Sequence, residues 1–368
     1  MEIRYLDEFR DSSLVGGIVS RIKGFPLSKP ARIMEVCGTH TMAISRGGIR
    51  TLLGKEVELI SGPGCPVCVT PDGYIDGAIR LGEKTDAIIT TFGDMIKVPG
   101  KRGSLEEEKA AGLDLRVVYS PLDALKIAEE SAGREVVFLG VGFETTAPPI
   151  AGALITAREK GIRNFSVLPS LRTIPEAMEA LMVDDDVSID AFLCPAHVST
   201  IIGANAYTTI SSRFEIPCVV AGFEYLDILL GIYYILEQIV RGEGKVENEY
   251  SRVAQMEGNR KALDVIYTLF EPCDISWRGI GVIPSSGLKI QEGYQDLDAG
   301  KKFGISLEVE ESEGPCRCGD ILKGKILPLE CPLFQNRCTP YDPVGPCMVS
   351  SEGTCAAYYK YGGCLEEA

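Results

Sequence analysis

Residues 57–81 read VELISGPGCPVCVTPDGYIDGAIRL, and this stretch decides the fold. It begins with a short apolar run, continues through a turn rich in Gly and Pro, and ends in a helical pattern over 74–81. A strand followed by a turn and a helix is the repeating unit of α/β proteins with parallel sheets. The same order recurs from about residue 30 to about residue 230, so the sequence predicts an α/β fold.

Eight apolar runs of strand length occur in this region. They are 32–36, 57–60, 86–91, 115–119, 135–141, 164–169, 190–194 and 216–221. Eight such units form either one barrel or two sheets of four strands. The polar stretch 129–134 favours two sheets, because parallel-sheet domains of about 100 residues are common. We therefore predict a first α/β domain over residues 1–130 and a second over 131–235.

Chemically unusual residues follow several of these runs directly. The motifs are Cys-Gly-Thr-His at 37–40, Gly-Pro-Gly-Cys-Pro-Val-Cys at 62–68, Gly-Phe-Glu-Thr-Thr-Ala-Pro at 142–148 and Cys-Pro-Ala-His at 194–197. In open parallel sheets, ligands bind beyond the carboxyl ends of the strands. Both halves are thus expected to present reactive groups from the same edge.

Composition limits the kind of partner. The chain of 368 residues carries a net charge of -15, which disfavours nucleic acid and anionic lipid. The N-terminus has no apolar signal segment, and acidic residues interrupt the most apolar window, 223–240. We expect a cytoplasmic protein without a membrane anchor. Thirteen cysteines and only two histidines then favour metal or redox chemistry that depends mainly on sulfur.

The cysteines concentrate at the end of the chain. Residues 236–310 are predicted to form a connection of helices and a strand, and residues 311–368 a separate module that contains seven of the cysteines. Such a short, polar segment lacks a core of its own, and binding an iron-sulfur cluster stabilises a fold of this kind. Zinc is the alternative, but the paired C-x2-C spacing typical of zinc sites is absent from this segment.

Two cysteine motifs are candidates for reactive sites. Cys65 and Cys68 precede the predicted helix, where the helix dipole lowers thiol pKa values, and their spacing permits a reversible disulfide. We expect them to be accessible and to alkylate fastest among the free thiols. Cys37 and His40 lie within one turn and suit either an iron ligand or a Cys-His nucleophile. For both motifs the alternative is ordinary packing of half-buried side chains.

The motif around Glu144 resembles a phosphate loop but lacks the Gly-Lys-Ser/Thr ending of a P-loop. Glu144 is a candidate proton acceptor or hydrogen-bonding group. Alternatively, Thr145 or Thr146 caps a helix there. At the Cys-Pro-Ala-His motif, Cys194 is expected to be buried, whereas His197 is a candidate site residue.

Together these motifs and the cysteine-rich tail resemble the HypD family of hydrogenase maturation proteins over essentially the whole chain. The resemblance implies two related α/β domains that face a cleft, and a small irregular C-terminal 4Fe-4S module. It implies a scaffold with thiol redox activity, on which the Fe(CN)2CO centre of nickel-iron hydrogenases is assembled.

The resemblance also implies roles for residues and partners. Cys37 would hold iron jointly with the small chaperone HypC, with His40 beside it, and Cys65 and Cys68 would form the thiol pair of the cleft. HypE, which acts after HypF, would supply cyanide, and the hydrogenase large subunit would receive the centre. By similarity to ferredoxin:thioredoxin reductase, the cluster ligands would be Cys316, Cys331, Cys338 and Cys355, and the redox disulfide would join Cys318 and Cys347. Cys364 has no implied role.

A second function fits the same cysteines. In a cluster-dependent thiol-disulfide oxidoreductase, the pair Cys318 and Cys347 would reduce a protein substrate through Cys65 and Cys68. A third possibility, a structural iron-sulfur protein that only docks partners, would leave Cys37 and His40 without a role.

Overall fold

The computed structural model describes residues 12–307 and 314–362, and within them the chain forms two sheets. The first sheet is parallel throughout, in the order β2-β1-β7-β8-β9. The second has the order β10-β11-β6-β5-β3-β4, and only its β10–β11 hairpin departs from the parallel arrangement. The strands are β1 Ala31–Glu35, β2 Val57–Ser61, β3 Ile88–Thr91, β4 Leu115–Val117, β5 Val136–Gly142, β6 Phe165–Arg172, β7 Ala191–Pro195, β8 Cys218–Ala221, β9 Val246–Asn248, β10 Phe270–Trp277 and β11 Gly281–Ile290.

The predicted fold class is confirmed, and β1 to β8 each fall on one of the eight apolar runs. The pairing of the strands differs from the predicted division at residue 130. Strands β3 and β4 join β5 and β6 in the second sheet, whereas β7 and β8 return to the first. Each sheet therefore takes strands from both predicted domains. Hydrophobic periodicity marks a strand but does not specify its neighbour, so the pattern could not reveal this exchange.

Helices cover both sheets and lie between them. They are α1 Ser12–Lys23, α2 Gly38–Arg46, α3 Ile49–Leu53, α4 Asp72–Thr85, α5 Leu105–Ala110, α6 Pro121–Glu130, α7 Ala147–Lys160, α8 Ile174–Met182, α9 Ala196–Ile202, α10 Thr208–Phe214, α11 Tyr225–Arg241, α12 Arg260–Leu269, α13 Ala299–Phe303, α14 Cys318–Leu322, α15 Pro346–Val349 and α16 Thr354–Tyr361. Among the described residues, no helix combines the length and the apolar character that crossing a membrane requires.

Side chains that alternate along the strands divide the interior into layers. On β1, Ile33 packs with α1 and α11 on the outer face, whereas Met34 faces the core between the sheets. On β5, Phe138 packs outward with α6 and α7, and Leu139 points into the same shared core. The period of two along a strand produces this alternation. The two sheets are thus held together by one continuous apolar layer.

The cysteine-rich segment packs against that shared layer. Ile321, Leu322 and Met348 belong to the core that contains residues of both sheets. On its other side, α16 packs against α2. The segment after residue 314 is therefore seated on the α/β body, at the end of the molecule where α2 begins.

Candidate functional site

The strand order of the first sheet brings three of the sequence motifs together. Strands β2, β1, β7 and β8 are neighbours and run in parallel, so their carboxyl ends lie in a row. These ends lead into the motifs at 62–68, 37–40 and 194–197 and into Gly222 and Phe223. The predicted edge is therefore present, and β7 brings His197 to the sheet that carries Cys37.

Cys37 is the N-cap residue of α2 and is 8% exposed. Its thiol accepts hydrogen bonds from the backbone N–H groups of His40 and Thr39, but burial dominates and raises its pKa to about 12. Gly64 lies directly against this residue: a Cβ at Gly64 would approach Cys37 N to 2.2 Å. The Gly-Pro-Gly turn and the Cys-Gly-Thr-His motif thus interlock through their backbones, which is the reason for glycine at Gly64.

Glu35, which lies outside the motifs predicted from the sequence, orients this turn. Its carboxylate accepts the Thr41 hydroxyl at 2.7 Å and the Cys37 N–H at 3.4 Å, with Arg50 at 3.8 Å. The side chain is completely buried, and burial raises its pKa to about 7. An acidic residue at the end of a strand, after the apolar pair Ile33 and Met34, is the signal that could have identified it.

His40 is fully buried, and its ring nitrogens have different surroundings. Nε2 lies 3.1 Å from the carbonyl oxygen of Ala221 and 2.9 Å from that of Gly222. Carbonyl oxygens only accept, so Nε2 carries the proton and donates to them. Burial lowers the pKa of His40 to about 4, so the ring is neutral and Nδ1 carries a lone pair, with no hydrogen-bond partner among the described residues.

Phe223 lies between the two histidines of the chain. Its ring centroid is 4.9 Å from that of His40 and 4.1 Å from that of His197. His197 is solvent-accessible, and partial burial lowers its pKa. One histidine is therefore internal to the site, and the other lies at its surface.

Glu352 of the C-terminal module also belongs to the side chains around Cys37 and the two histidines, and the sequence motifs did not predict it. Its carboxylate accepts the Thr39 hydroxyl at 2.7 Å and contributes to the electrostatic field at both Cys37 and His197. Gly38 permits the approach, because a Cβ there would lie 2.5 Å from Glu352 Cβ. The contact joins residues more than 300 positions apart, and no local pattern signals it.

Cys65 and Cys68 do not have the predicted surroundings. They are 3% and 0% exposed, and α4 begins only at Asp72, after the N-cap Pro71. Burial raises the pKa of Cys68 well above its usual range. The expectation of accessible thiols is therefore wrong, and so is the expectation of a lowered pKa for Cys68. The C-terminal module lies against this turn: the Cys68 thiol is 3.9 Å from the carbonyl oxygen of Pro346.

The same contact connects the cysteine motifs in space. Cys68 contacts both Cys65 and Cys347, and Cys347 in turn contacts Cys318. Cys318 lies against Cys355 and, at 3.0 Å between sulfur atoms, against Cys316. All of these side chains are free thiols in the structure. A continuous row of sulfur atoms thus leads from the carboxyl edge of the first sheet into the terminal module.

The terminal cysteines surround one pocket. It is lined by Cys316, Cys318, Cys331, Cys338 and Cys355, with apolar walls from Ile321, Leu333, Phe334 and Met348. Within residues 12–307 and 314–362, no three His, Cys, Asp or Glu side chains converge closely enough to ligate a single ion. A 4Fe-4S cluster is ligated by four thiolates, and the cysteines that line this pocket include the four predicted ligands. The donor set fits a cluster, and Cys364 lies outside the described residues.

Glu144 lies apart from the row of cysteine sulfur atoms. Its carboxylate accepts the N–H of Ile174 at 2.8 Å, at the start of α8, and burial raises its pKa to about 8. Its other oxygen, Oε2, has no hydrogen-bond partner among the described residues. This hydrogen bond caps α8. The helix for which a cap was predicted is α7, whose N-cap residue Thr146 makes no side-chain cap hydrogen bond. Among the described contacts, none joins Glu144 to Cys37 or His40.

Comparisons with known proteins give matches over nearly the whole chain. A family model for HypD, described as the hydrogenase formation hypA family, matches residues 13–362. The chain is 44% identical to hydrogenase maturation factor HypD of Rhodobacter capsulatus, over 98% of this chain and 99% of the relative. It is 46% identical to hydrogenase maturation factor HypD2 of Bradyrhizobium diazoefficiens (98% and 97%) and 44% identical to HypD of Escherichia coli (98% and 98%).

Proposed function

The chain belongs to the HypD family and is a hydrogenase maturation factor, and from this premise we propose that Cys37 holds iron while the Fe(CN)2CO centre is assembled. The observation that carries the proposal is the setting of Cys37, whose thiol lies at a helix N-terminus, accepts the backbone N–H of His40 and lies in the field of Glu352. A soft thiolate holds ferrous iron and leaves positions open for diatomic ligands. HypC supplies the second thiolate, HypE delivers cyanide after HypF has acted, and the hydrogenase large subunit receives the product.

The high pKa of Cys37 sets a requirement for this step. At neutral pH the free thiol is protonated, so iron binding must displace the proton. Glu352, whose charge acts on the Cys37 thiol, is the nearby carboxylate that can accept this proton. Burial then favours the bound state, because a neutralised iron-thiolate pair is less costly to bury than a free thiolate.

The row of thiols provides a route for electrons to this site. With Cys65 and Cys68 joined as a disulfide, the Cys347 thiolate attacks the Cys68 sulfur and releases the Cys65 thiolate. Cys318 then attacks Cys347, which frees Cys68 and leaves a Cys318–Cys347 disulfide. A 4Fe-4S cluster held by Cys316, Cys331, Cys338 and Cys355 would relay two electrons, one at a time, from an external one-electron reductant to this disulfide and so regenerate the two thiols. The sulfur contacts described above support this order.

The same row of thiols also supports the alternative function, a thiol-disulfide oxidoreductase that reduces a separate protein. However, Cys65, Cys68, Cys318 and Cys347 are at most 5% exposed. A protein disulfide cannot reach any of them in this conformation, because thiol exchange requires access to the attacking sulfur. Burial therefore favours the internal use of these electrons.

Infrared spectroscopy of the anaerobically purified protein with its small chaperone tests the proposal. We expect cyanide and CO stretching bands and iron beyond that of the cluster. Cys37→Ala should lose the bands and the additional iron, whereas the matched control Cys273→Ala should retain both. Cyanide bands in the Cys37 variant would rule out this residue as the iron ligand.

A further inference from the structure

One peptide group connects His40 to a buried acidic cluster. The carbonyl oxygen of Ala221 lies 3.1 Å from His40 Nε2, and the N–H of the same peptide, that of Gly222, donates to Glu249 Oε2 at 3.2 Å. The next carbonyl, of Gly222, accepts from Nε2 at 2.9 Å. Because the peptide is planar and rigid, the position of its N–H determines the position of its carbonyl.

We propose that Glu249 is a positioning residue for His40. By holding the Ala221–Gly222 peptide, it keeps two carbonyl oxygens directed at Nε2 and so maintains His40 as the Nε2–H tautomer. The hydrogen bond made by one ring nitrogen determines the state of the other, a relation familiar from histidines that ligate metals. Nδ1 is then the ring atom that takes a proton or binds iron, and only this last statement rests on the proposed function.

Glu249 is itself held firmly. Its side chain is 5% exposed, and Oε1 lies 3.6 Å from Arg252 Nη1. Arg252 also binds Asp227 at 2.5 Å, and the carboxyl groups of Asp227 and Glu249 contact each other. The backbone N–H of Glu249 donates to the carbonyl oxygen of Val220 at 2.9 Å. These contacts hold the Glu249 carboxyl group against the Gly222 N–H.

The fit at Gly222 shows that the peptide is packed against this cluster. A Cβ at Gly222 would lie 2.1 Å from Asp227 Oδ2 and 2.6 Å from Tyr250 Cδ2. Asp227 also accepts the N–H of Glu224 at the start of α11. The cluster therefore contacts the peptide group itself and not a side chain next to it. The peptide group is therefore held through its backbone atoms and not through a side chain of Ala221 or Gly222.

The two histidines make the tautomer measurable. In full-length protein with 15N-labelled histidine, long-range proton–nitrogen spectra identify the protonated nitrogen of each ring, and His197→Gln assigns the signals. We expect His40 to carry its proton on Nε2. In Glu249→Ala the Nδ1–H form should rise roughly fivefold relative to the Nε2–H form, the change in equilibrium that loss of one buried hydrogen bond produces.

Two further variants separate positioning from general damage. Glu249→Gln keeps an oxygen that accepts the Gly222 N–H and should retain the wild-type tautomer. Glu247→Ala removes a carboxylate two residues away, which binds Gln238 at 2.8 Å, and should leave the His40 signals unchanged. If Glu249→Ala does not fold, Glu249→Asp takes its place, because its shorter side chain cannot reach Gly222 and should shift the tautomer in the same direction.

Several outcomes would overturn the proposal. These are a proton on Nδ1 in the wild type, an unchanged tautomer in folded Glu249→Ala or Glu249→Asp, and an equal shift in Glu247→Ala. The measurement needs neither the chaperone nor bound iron at Cys37. A negative infrared result would therefore count against the proposed function, and only the nitrogen spectra count against the role of Glu249.

Discussion

Single residues of this protein illustrate how burial changes ionisation. Glu35, Glu144 and Glu249 have pKa values raised to about 7, 8 and 7, and burial is the largest cause for each. Removing a carboxyl group from water penalises its charged form and favours its neutral form. These three side chains thus change charge within the range where ordinary carboxyl groups are fully ionised.

We expect Glu144→Gln to stabilise the protein increasingly as pH rises. The folded-state pKa is about 8 against a usual 4.5, so the contribution of Glu144 to stability is complete below pH 4.5 and is lost as pH rises through 8. Glutamine still accepts the Ile174 N–H but never ionises. Between about pH 5.5 and pH 8.5, its advantage in the free energy of unfolding should grow by roughly 3 kcal/mol.

Anaerobic denaturant titrations at the two pH values measure this difference. The exposed control Glu106→Gln should show no comparable growth. An advantage for Glu144→Gln that stays constant with pH would mean that Glu144 is already ionised in the folded protein.

Burial also determines thiol reactivity. In the reduced native protein, half-buried Cys273 should alkylate before Cys65, Cys68, Cys194 and Cys218, by roughly tenfold or more. The reason is that reagents reach buried thiols only when the structure opens locally. Timed labelling with peptide mass spectrometry measures the order, and labelling in denaturant should abolish it. If Cys65 and Cys68 label first, the pair is accessible in solution.

At the scale of elements, glycine permits the close contacts between turns and helices. Gly64 lies against the backbone of Cys37, and Gly353 lies against Cys347, where a Cβ would approach the carbonyl oxygen to 2.1 Å. In both places the neighbouring atoms belong to backbone that cannot move aside. By contrast, a Cβ at Gly152 in α7 would have no atom of another element within 4 Å.

These surroundings predict opposite effects for the same substitution. Gly64→Ala should lower the free energy of unfolding by roughly 3 kcal/mol, because Cβ would overlap Cys37 N. Gly152→Ala should raise it by about 0.5 to 1 kcal/mol, because alanine restricts the unfolded chain more than glycine does. Denaturant titration of the two variants side by side checks the signs. Equal stability of both variants would contradict the contact at Gly64.

For the whole molecule, the exchange of strands between sheets makes the two halves interdependent. Residues 1–130 contain β3 and β4, whose sheet partner β5 lies beyond the cut, and residues 131–235 contain β7, whose partner is β1. Expressed separately, fragments 1–130 and 131–235 should each lack a cooperative unfolding transition. Circular dichroism with thermal unfolding provides the measurement. A cooperative transition in fragment 1–130 alone would restore the division that the sequence predicts.

Local sequence patterns were sufficient to predict the strands. All eight apolar runs are strands, because burial on parallel strands leaves a continuous apolar signature. The motifs also predicted that Cys37, His40 and His197 follow the carboxyl ends of strands, and the structure places them after β1 and β7. The cysteine count and spacing directed attention to sulfur chemistry in the terminal module.

Only the tertiary structure decided which of these residues meet. Strand order brings β7 beside β1 and so places the motifs of His197 and Cys37 at the same sheet edge, although nothing in either strand specifies its neighbour. Glu249 and Glu352 are ordinary surface-type residues in sequence, and each acquires its role from a contact across the fold. Cys65 and Cys68 were expected at the surface because a turn before a helix is usually exposed. Their burial depends on a segment almost 280 positions away that packs over them, and such long-range contacts leave no periodic trace in the chain.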